Sequence, residues 1–271
     1  MRSLHKIFLL MVLTLPLFLA GCATVYNPAT GAKEYIMIGT EQEVSIGNQV
    51  AAAVETKYKL SQDTAEIERV NSIGRRIAAV SDRQDLKYYF KVLDNKDINA
   101  LSTPGGYVYV NSGLLEKAND DEVAAVIGHE VGHIAARHSV QAMQSQNLIS
   151  AGAIVASIFV KSSDSSRQAM QGASVALNLI MLGYSREDEF EADKLGVRYA
   201  YYAGFDPNGE VTFLEKLQRQ EKGTPFDKTL VYLKSHPLYS ERISKARAYA
   251  AYLKETHSQP PVHPPIPAPA K

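Results

Sequence analysis

The feature that most constrains this chain is a set of ionisable side chains inside a predicted apolar helix. Apolar residues recur at helical spacing from about residue 122 to residue 144, and Asp120 and Asp121 before them provide a cap and a charge that complements the helix dipole. A His-Glu-x-x-His motif occupies residues 129 to 133, well inside this helix. Residues four apart on a helix are separated by about 40° and about 6 Å of rise, so both imidazoles project from one face.

Two imidazoles on one helix face can hold one metal ion. His129 and His133 provide neutral nitrogen ligands, and Glu130 places a carboxylate beside the metal's water rather than on the metal. The chain has one cysteine and no tryptophan, so it has neither a disulfide framework nor a cysteine-based zinc knuckle. Any metal must therefore be held by histidine and carboxylate.

A catalytic zinc needs a third protein ligand and one open position. The metzincin pattern requires a glycine at 136 and a histidine at 139, but the chain has Ala136 and Ser139 there. Further along, Glu189 and Asp193 lie four apart on a second predicted helix and share a face. One of them can bind the metal while the other accepts the ring N–H of a ligand histidine.

The ordered motifs of this chain resemble those of one zinc metallopeptidase family, the glutamate-zincins that include the HtpX heat-shock protease, the Oma mitochondrial protease and the CAAX prenyl endopeptidases. The resemblance covers roughly residues 41 to 253. Its pieces are Asn-Ala at 99 to 100, Pro-Gly-Gly at 104 to 106, His-Glu-x-x-His at 129 to 133, Ser-Arg-x-x-Glu-x-x-Ala-Asp at 185 to 193, His-Pro at 236 to 237, and Arg-Ile at 242 to 243.

The resemblance implies a fold, a cofactor and a role for each motif residue. The fold would be α+β and mostly α-helical, a zincin-like metallopeptidase domain with a small β-sheet. One Zn²⁺ per chain would be held by His129, His133 and Glu189. Glu130 would be the general base, and Asp193 would accept a hydrogen bond from the ring of His129.

Two residues near the end of the matched region are candidate donors to the oxyanion of a tetrahedral intermediate. His236 precedes the last predicted helix and Arg242 lies inside it. Without the family match, His236 would be interpreted as a surface turn residue before Pro237, and Arg242 as a solvated residue or a local ion pair. We interpret His138, Glu187 and Glu191 as ordinary helix-face residues.

A strand near the motif helix is the candidate substrate-binding element. The resemblance places it beside the metal as a sheet edge, where an extended peptide can add through backbone hydrogen bonds. The alternative is a core strand without such a role. The predicted substrate-binding residues are Gly106, Tyr107, Val108 and Tyr109.

The first 21 residues have the plan of a secretory signal peptide, with a basic start and a short apolar run. The sequence Leu-Ala-Gly-Cys that ends at Cys22 resembles a bacterial lipobox, which implies cleavage before Cys22 and lipidation of that residue. An ordinary signal peptide is the alternative. Because Ala23 rather than aspartate follows, we expect an outer-membrane anchor facing the periplasm.

The rest of the chain divides into a tether at 22–40, a metallopeptidase domain at 41–256 and a proline-rich disordered tail at 257–271. Apolar stretches between 148 and 184 predict a helical hairpin. Each stretch is too short to cross a bilayer, which favours core or interface packing over membrane insertion, and the hairpin could be a lid or a membrane contact. The predicted helices are 41–58, 63–80, 122–144, 186–203, 207–221 and 240–254, and the predicted strands are 88–93 and 106–110.

Composition excludes one class of partner and leaves three functions open. With 29 basic and 29 acidic residues, the chain has no net field to attract nucleic acid. The expected function is a zinc endopeptidase of the small envelope-lipoprotein branch, which clears unfolded or misassembled envelope proteins in quality control. The alternatives are a zinc-containing lipoprotein that acts as a chaperone or assembly factor, and a hydrolase of cell-wall peptides.

Overall fold

The structure is a computed structural model that describes residues 23–28, 31–145, 183–223 and 231–256. The predicted signal peptide with Cys22, nearly all of the predicted 148–184 hairpin and the proline-rich tail lie outside these residues. Among the helices described, none combines the length and the apolar character needed to cross a bilayer.

Helices dominate the described chain and surround a small sheet, which confirms the predicted α+β, mostly helical class. The helices are α1 (Thr40–Lys57), α2 (Thr64–Val80), α3 (Ser112–Leu115), α4 (Asp120–Ala135), α5 (His138–Ser145), α6 (Arg186–Tyr202), α7 (Gly209–Gly223), α8 (Tyr232–Ser235) and α9 (Ser240–Thr256).

The strands form two small sheets. The strands are β1 (Ala23–Tyr26), β2 (Lys33–Ile36), β3 (Tyr89–Leu93), β4 (Ala100–Thr103) and β5 (Tyr107–Asn111). In the three-stranded sheet β5 is central: it runs parallel to β3 and antiparallel to β4. Gly105 and Gly106 connect β4 to β5 with φ values of 76° and 96°, which glycine adopts most readily. Because β5 pairs with a strand on both sides, its predicted position at a sheet edge is wrong, and β4 is an edge strand instead.

The described residues of the segment predicted to be a tether, 23–28 and 31–40, include two strands and the start of α1. Strands β1 and β2 pair antiparallel, and the Asn-Pro and Gly signals of the sequence form the turn between them. The side chain of Ile36 is buried in a cluster with α1 and α5, and Val25 packs against the same cluster. The prediction missed the hairpin because its apolar residues pack against helices distant in sequence.

The long motif helix is shorter than predicted and ends within one turn of the motif. Asn119 caps its start in a reciprocal capping box with Glu122, rather than Asp120 or Asp121. At the other end Arg137 has a left-handed backbone with φ of 58°, which separates α4 from α5. The Arg137 guanidinium donates to the buried Glu43 carboxylate of α1 at 2.8 Å, and this ion pair stabilises the break.

Close packing of α4 on α6 brings the two predicted ligand helices together. A Cβ on Gly128 would lie 2.8 Å from the carbonyl oxygen of Gly196, and one on Gly196 would lie 2.7 Å from the amide nitrogen of His129. Real Cβ atoms do not approach backbone so closely. Only glycine at both positions allows the helices to pack at this distance, directly beside the first residue of the motif.

Candidate metal site

Four elements place ionisable side chains around one buried point. Helix α4 provides the motif, and α6 provides two carboxylates. The residue after α8 and the first turn of α9 each provide one basic side chain, His236 and Arg242. The residues that meet there are His129, Glu130, His133, Glu189, Asp193, His236 and Arg242. All of them were singled out in the sequence, and all are at most 3% exposed.

Three of these side chains direct ligand atoms toward each other. The Nε2 atoms of His129 and His133 lie 2.9 Å apart. Glu189 directs Oε2 to within 3.7 Å of the His129 Nε2 and Oε1 to within 3.5 Å of the His133 Nε2. Ligands at zinc distances of about 2.0–2.2 Å in a tetrahedron are separated by roughly 3.4 Å, so this spacing suits one small cation.

The donor set also fits a cation chemically. Burial holds the pKa of His133 well below its usual value, so its imidazole is neutral, as a ligand must be. Oε2 of Glu189 and Oε1 of Glu130 are buried and accept no aligned hydrogen bond in the described chain, although Arg242 Nη1 and His236 Nε2 lie 2.6 and 3.3 Å from them. A buried carboxylate oxygen with unused acceptor capacity is costly, and a bound cation would reduce that cost further.

Asp193 and Arg242 form a rigid support behind the ligand atoms. Oδ1 of Asp193 lies 2.9 Å from Nδ1 of His129, which fixes the ring with Nε2 toward the cluster. Arg242 donates from Nε and Nη2 to the two oxygens of Asp193, at 2.8 and 2.7 Å, and its Nη1 is 2.6 Å from Oε2 of Glu189. Because its donors are committed to these carboxylates, Arg242 is placed as their clamp rather than as the predicted oxyanion donor.

His236 lies between the predicted base and the predicted ligands. Its Nε2 is 3.3 Å from Oε1 of Glu130, and its Nδ1 is 3.0 Å from Oε1 of Glu189 and 3.2 Å from Nε2 of His129. Burial opposes charge on both side chains, but the charge of His236 lowers the pKa of Glu130 to about 2, and the charges of Glu189 and then Glu130 raise the pKa of His236 to about 10. His236 lies within reach of the reacting atoms, and it could be a fourth ligand only after losing its proton, because an imidazole ligand must be neutral.

The predicted substrate residues lie one strand away from the place expected for them. Val108 and Tyr109 are completely buried in the central strand, with β3 and β4 on either side. The neighbouring edge strand β4 contacts the site instead. Its Ser102 hydroxyl donates a hydrogen bond to Oε2 of Glu130 at 2.7 Å. β4 is only four residues long and carries little alternation, so its pattern did not identify it as a strand.

Two further residues beside the site, after Ser102, were missed in the sequence. His138 is buried, with Nδ1 2.8 Å from Nδ1 of His133, so its interpretation as a helix-face residue is wrong. The ring of Tyr184 stacks on His133 with centroids 3.8 Å apart and an angle of 18° between planes. His138 is out of phase with the motif on a continuous helix, and only the break at Arg137 directs it back toward the site.

Comparison with known proteins identifies the relatives of this chain. The family model described as peptidase family M48 matches residues 64–250. The beta-barrel assembly-enhancing protease of Escherichia coli strain K12 is 28% identical over 245 residues, which cover 88% of this chain and 50% of the relative. The metalloprotease YcaL of the same organism is 31% identical, covering 84% and 95% of the two chains. The mitochondrial metalloendopeptidase OMA1 of Schizosaccharomyces pombe is 34% identical, covering 65% and 50%. The chain thus spans about half the length of the assembly-enhancing protease.

Proposed function

The chain belongs to peptidase family M48, and from that premise we propose that it is a zinc-dependent endopeptidase of the bacterial cell envelope. The observation that carries this proposal is the convergence of His129, His133 and Glu189 on one buried point beside the Glu130 carboxylate. One Zn²⁺ per chain would be held by these three residues. A member of this metallopeptidase family with these ligands and the neighbouring Glu130 carboxylate has the groups that peptide hydrolysis requires.

The chemistry divides between the ion and the side chains around it. Zinc, when bound, would supply the Lewis acidity that polarises a peptide carbonyl and makes water nucleophilic near neutral pH. Glu130 is placed to take the water's proton: the Ser102 hydroxyl donates to its Oε2, and Oε1 accepts no aligned hydrogen bond and is 3.3 Å from Nε2 of His236. His236 offers a ring N–H beside this base for the negative oxygen of the tetrahedral intermediate.

The substrate would bind along β4. Within the described residues this strand hydrogen-bonds to β5 on one side only, so its other edge offers backbone groups to an extended peptide. Ser102 on β4 contacts Glu130, so a peptide added here would lie beside the base. Backbone recognition is weakly selective for sequence and requires an extended chain. It therefore suits unfolded or misassembled envelope proteins, and quality control is the role we propose.

The proposed location is the outer membrane, with the domain facing the periplasm and lipidated Cys22 as the anchor. The lipobox-like sequence supports it, and so does the hairpin that directly follows. Tyr26 and Tyr35 lie on the same face of this hairpin and are 67% and 76% exposed. Exposed tyrosines beside a lipid anchor are suited to the headgroup region of a membrane.

A second candidate function is a zinc-containing lipoprotein that acts as a chaperone or assembly factor. The specific observation in its favour is His236, which joins His129, His133 and Glu189 in a set of four possible ligand atoms. Four protein ligands are typical of structural zinc. Glu130 speaks against it, since a closed structural site has no use for a buried base.

Substrate choice separates these functions. The full-length, zinc-loaded chain, purified in detergent, would be offered casein, a tightly folded protein and cell-wall peptides in parallel, with and without a chelator. We expect cleavage of casein alone, and only without the chelator. Cleavage of cell-wall peptides alone would overturn the proposal, and suppression of casein aggregation without cleavage would favour the chaperone.

A further inference from the structure

His138 occupies the side of His133 that faces away from the ligand cluster. It is the first residue of α5, is 2% exposed, and follows the left-handed residue Arg137. Its Nδ1 lies 2.8 Å from Nδ1 of His133, and the two rings meet edge to face at 72°. At this distance one nitrogen must donate and the other must accept, because two ring N–H groups would repel.

The ligand geometry decides which nitrogen donates. Nε2 of His133 faces Nε2 of His129 and Oε1 of Glu189, so a cation in the cluster takes its lone pair. The proton of neutral His133 is then on Nδ1, and it is donated to Nδ1 of His138. His138 must therefore be neutral and carry its own proton on Nε2.

The proton on Nε2 of His138 has an acceptor in the correct place. Oε2 of Glu191 on α6 is 3.3 Å from that nitrogen. The same oxygen accepts a hydrogen bond of 2.6 Å from Nδ2 of Asn27, which is also buried. Nδ2 of Asn27 donates in addition to Oε1 of Glu34 on β2, at 2.8 Å, so the N-terminal hairpin holds the far end of the chain of bonds.

We propose that His138 is a positioning residue for the zinc ligand His133, and that Glu191 and Asn27 hold it in the Nε2–H tautomer. The inference rests on the proposed function, because it requires that Nε2 of His133 bind zinc. The two histidine ligands then have different supports. His129 donates directly to the Asp193 carboxylate. His133 donates to the neutral imidazole of His138, which in turn donates to the carboxylate of Glu191.

Zinc affinity tests the role of His138 without reference to catalysis. The zinc dissociation constant of the full-length chain, purified in detergent, would be measured by competition with a chelator. His138→Phe keeps a ring but removes the acceptor, and we expect it to weaken zinc binding by about 10- to 100-fold. His138→Asn keeps an acceptor near the Nδ1 position, and we expect it to recover most of the loss. Equal affinities of His138→Phe and wild type would overturn the proposal.

Two glutamates of α6 provide a matched pair of variants that tests the outer end of the hydrogen-bond relay from His133 through His138 to Glu191. Glu191→Gln removes the charge that faces His138, while Glu187→Gln makes the same change at an exposed position of the same helix. We expect several-fold weaker zinc binding for Glu191→Gln and no change for Glu187→Gln. If the two variants lose affinity equally, the effect is one of net charge and the relay is wrong.

The tautomers can be observed directly by ¹⁵N NMR of the histidine side chains in the zinc-loaded wild-type protein, which does not depend on any variant folding. We expect His133 to carry its proton on Nδ1 and His138 on Nε2. A proton on Nδ1 of His138 would overturn the inference. If these tautomers are found but casein is not cleaved, the relay stands and the proposed function fails. If casein is cleaved but His138→Phe binds zinc normally, the proposed function stands and the relay fails.

Discussion

Arg242 is a fully buried cation that faces the carboxylates of Glu189 and Asp193. Burial opposes its charge, but the charges of Asp193 and Glu189 raise the pKa of its guanidinium well above the usual value. Glu210 on α7 is a third buried carboxyl, 3.9 Å from Nη2 of Arg242, and burial together with Asp193 raises its pKa well above the usual value. One arginine thus compensates the carboxylates of Glu189 and Asp193, which would otherwise repel each other.

Loss of this arginine should destabilise the fold and the site together. We expect Arg242→Met to lower the free energy of unfolding by about 3–5 kcal/mol, because it leaves buried carboxylates without a counter-charge. Arg247→Met is the control, since Arg247 is an exposed α9 residue paired with Glu215, and such pairs contribute about 1 kcal/mol or less. Denaturant titration of both variants checks this. Equal effects would contradict the clamp.

The contact between α4 and α6 can be tested by adding a single methyl group. We expect Gly196→Ala to destabilise the fold by about 1–3 kcal/mol and to weaken zinc binding, because its Cβ would meet the backbone of His129 and separate the ligand helices. Gly39→Ala is the control, because an added Cβ there meets nothing within 4 Å and φ is negative. Thermal unfolding and zinc titration measure both effects. A neutral Gly196→Ala would show that the helices can separate freely.

An ion-pair group joins α1, the segment after α2 and the end of α4. Arg83 contacts both Glu43 and Asp85, and Arg137 contacts Glu43. Burial alone would raise the pKa of Asp85, but its hydrogen bond with Arg83 and the charge of Arg83 lower it below its usual range. A carboxyl with a lowered folded pKa adds stability above its unfolded pKa, near pH 4, and loses it as pH falls through the folded pKa.

Asp85→Asn should therefore change the acid dependence of stability. We expect the variant to be less stable than wild type at neutral pH and the difference to shrink as pH falls below about 4. The solvent exposure of the Asp85 side chain keeps the effect modest. Urea titrations at a series of pH values measure it. A difference that stays constant down to pH 2 would exclude Asp85 as the cause.

The elements that local pattern defines were predictable, and those that distant contacts define were not. The motif helix and the helix of Glu189 follow from helical spacing and caps. The break at Arg137 depends on Glu43, which is 94 residues away, and the clamp of Arg242 on Asp193 spans 49 residues. No local pattern contains these partners, so Arg242 was assigned a different role and His138 was missed.

At the scale of the whole molecule, the site closes only when distant parts of the chain have packed. The largest apolar cluster joins α2, the sheet, α4, α6 and α7, and a separate cluster of α6, α7 and α9 fixes the helix that carries Arg242. The proposed ligand atoms come from α4 and α6, which are far apart in an unfolded chain. Metal binding would therefore be coupled to folding.

Zinc should stabilise the folded chain by an amount that rises with the logarithm of its free concentration above the dissociation constant. Ligand binding to the native state alone adds about 2.7 kcal/mol at a concentration 100 times the dissociation constant. We expect a chelator to lower the unfolding temperature of wild type and to have little effect on His133→Ala. Calorimetry with and without chelator measures the shift. No shift in wild type would contradict a metal site in this cluster.

The most direct test of the central claim compares wild type with Glu130→Gln at equal zinc content. General base catalysis contributes about 10²- to 10⁴-fold, so we expect casein cleavage to fall by that factor while the variant binds zinc as before. This result would establish the buried cluster as a catalytic metal centre with Glu130 as its base. Cleavage at the wild-type rate by zinc-loaded Glu130→Gln would contradict the claim.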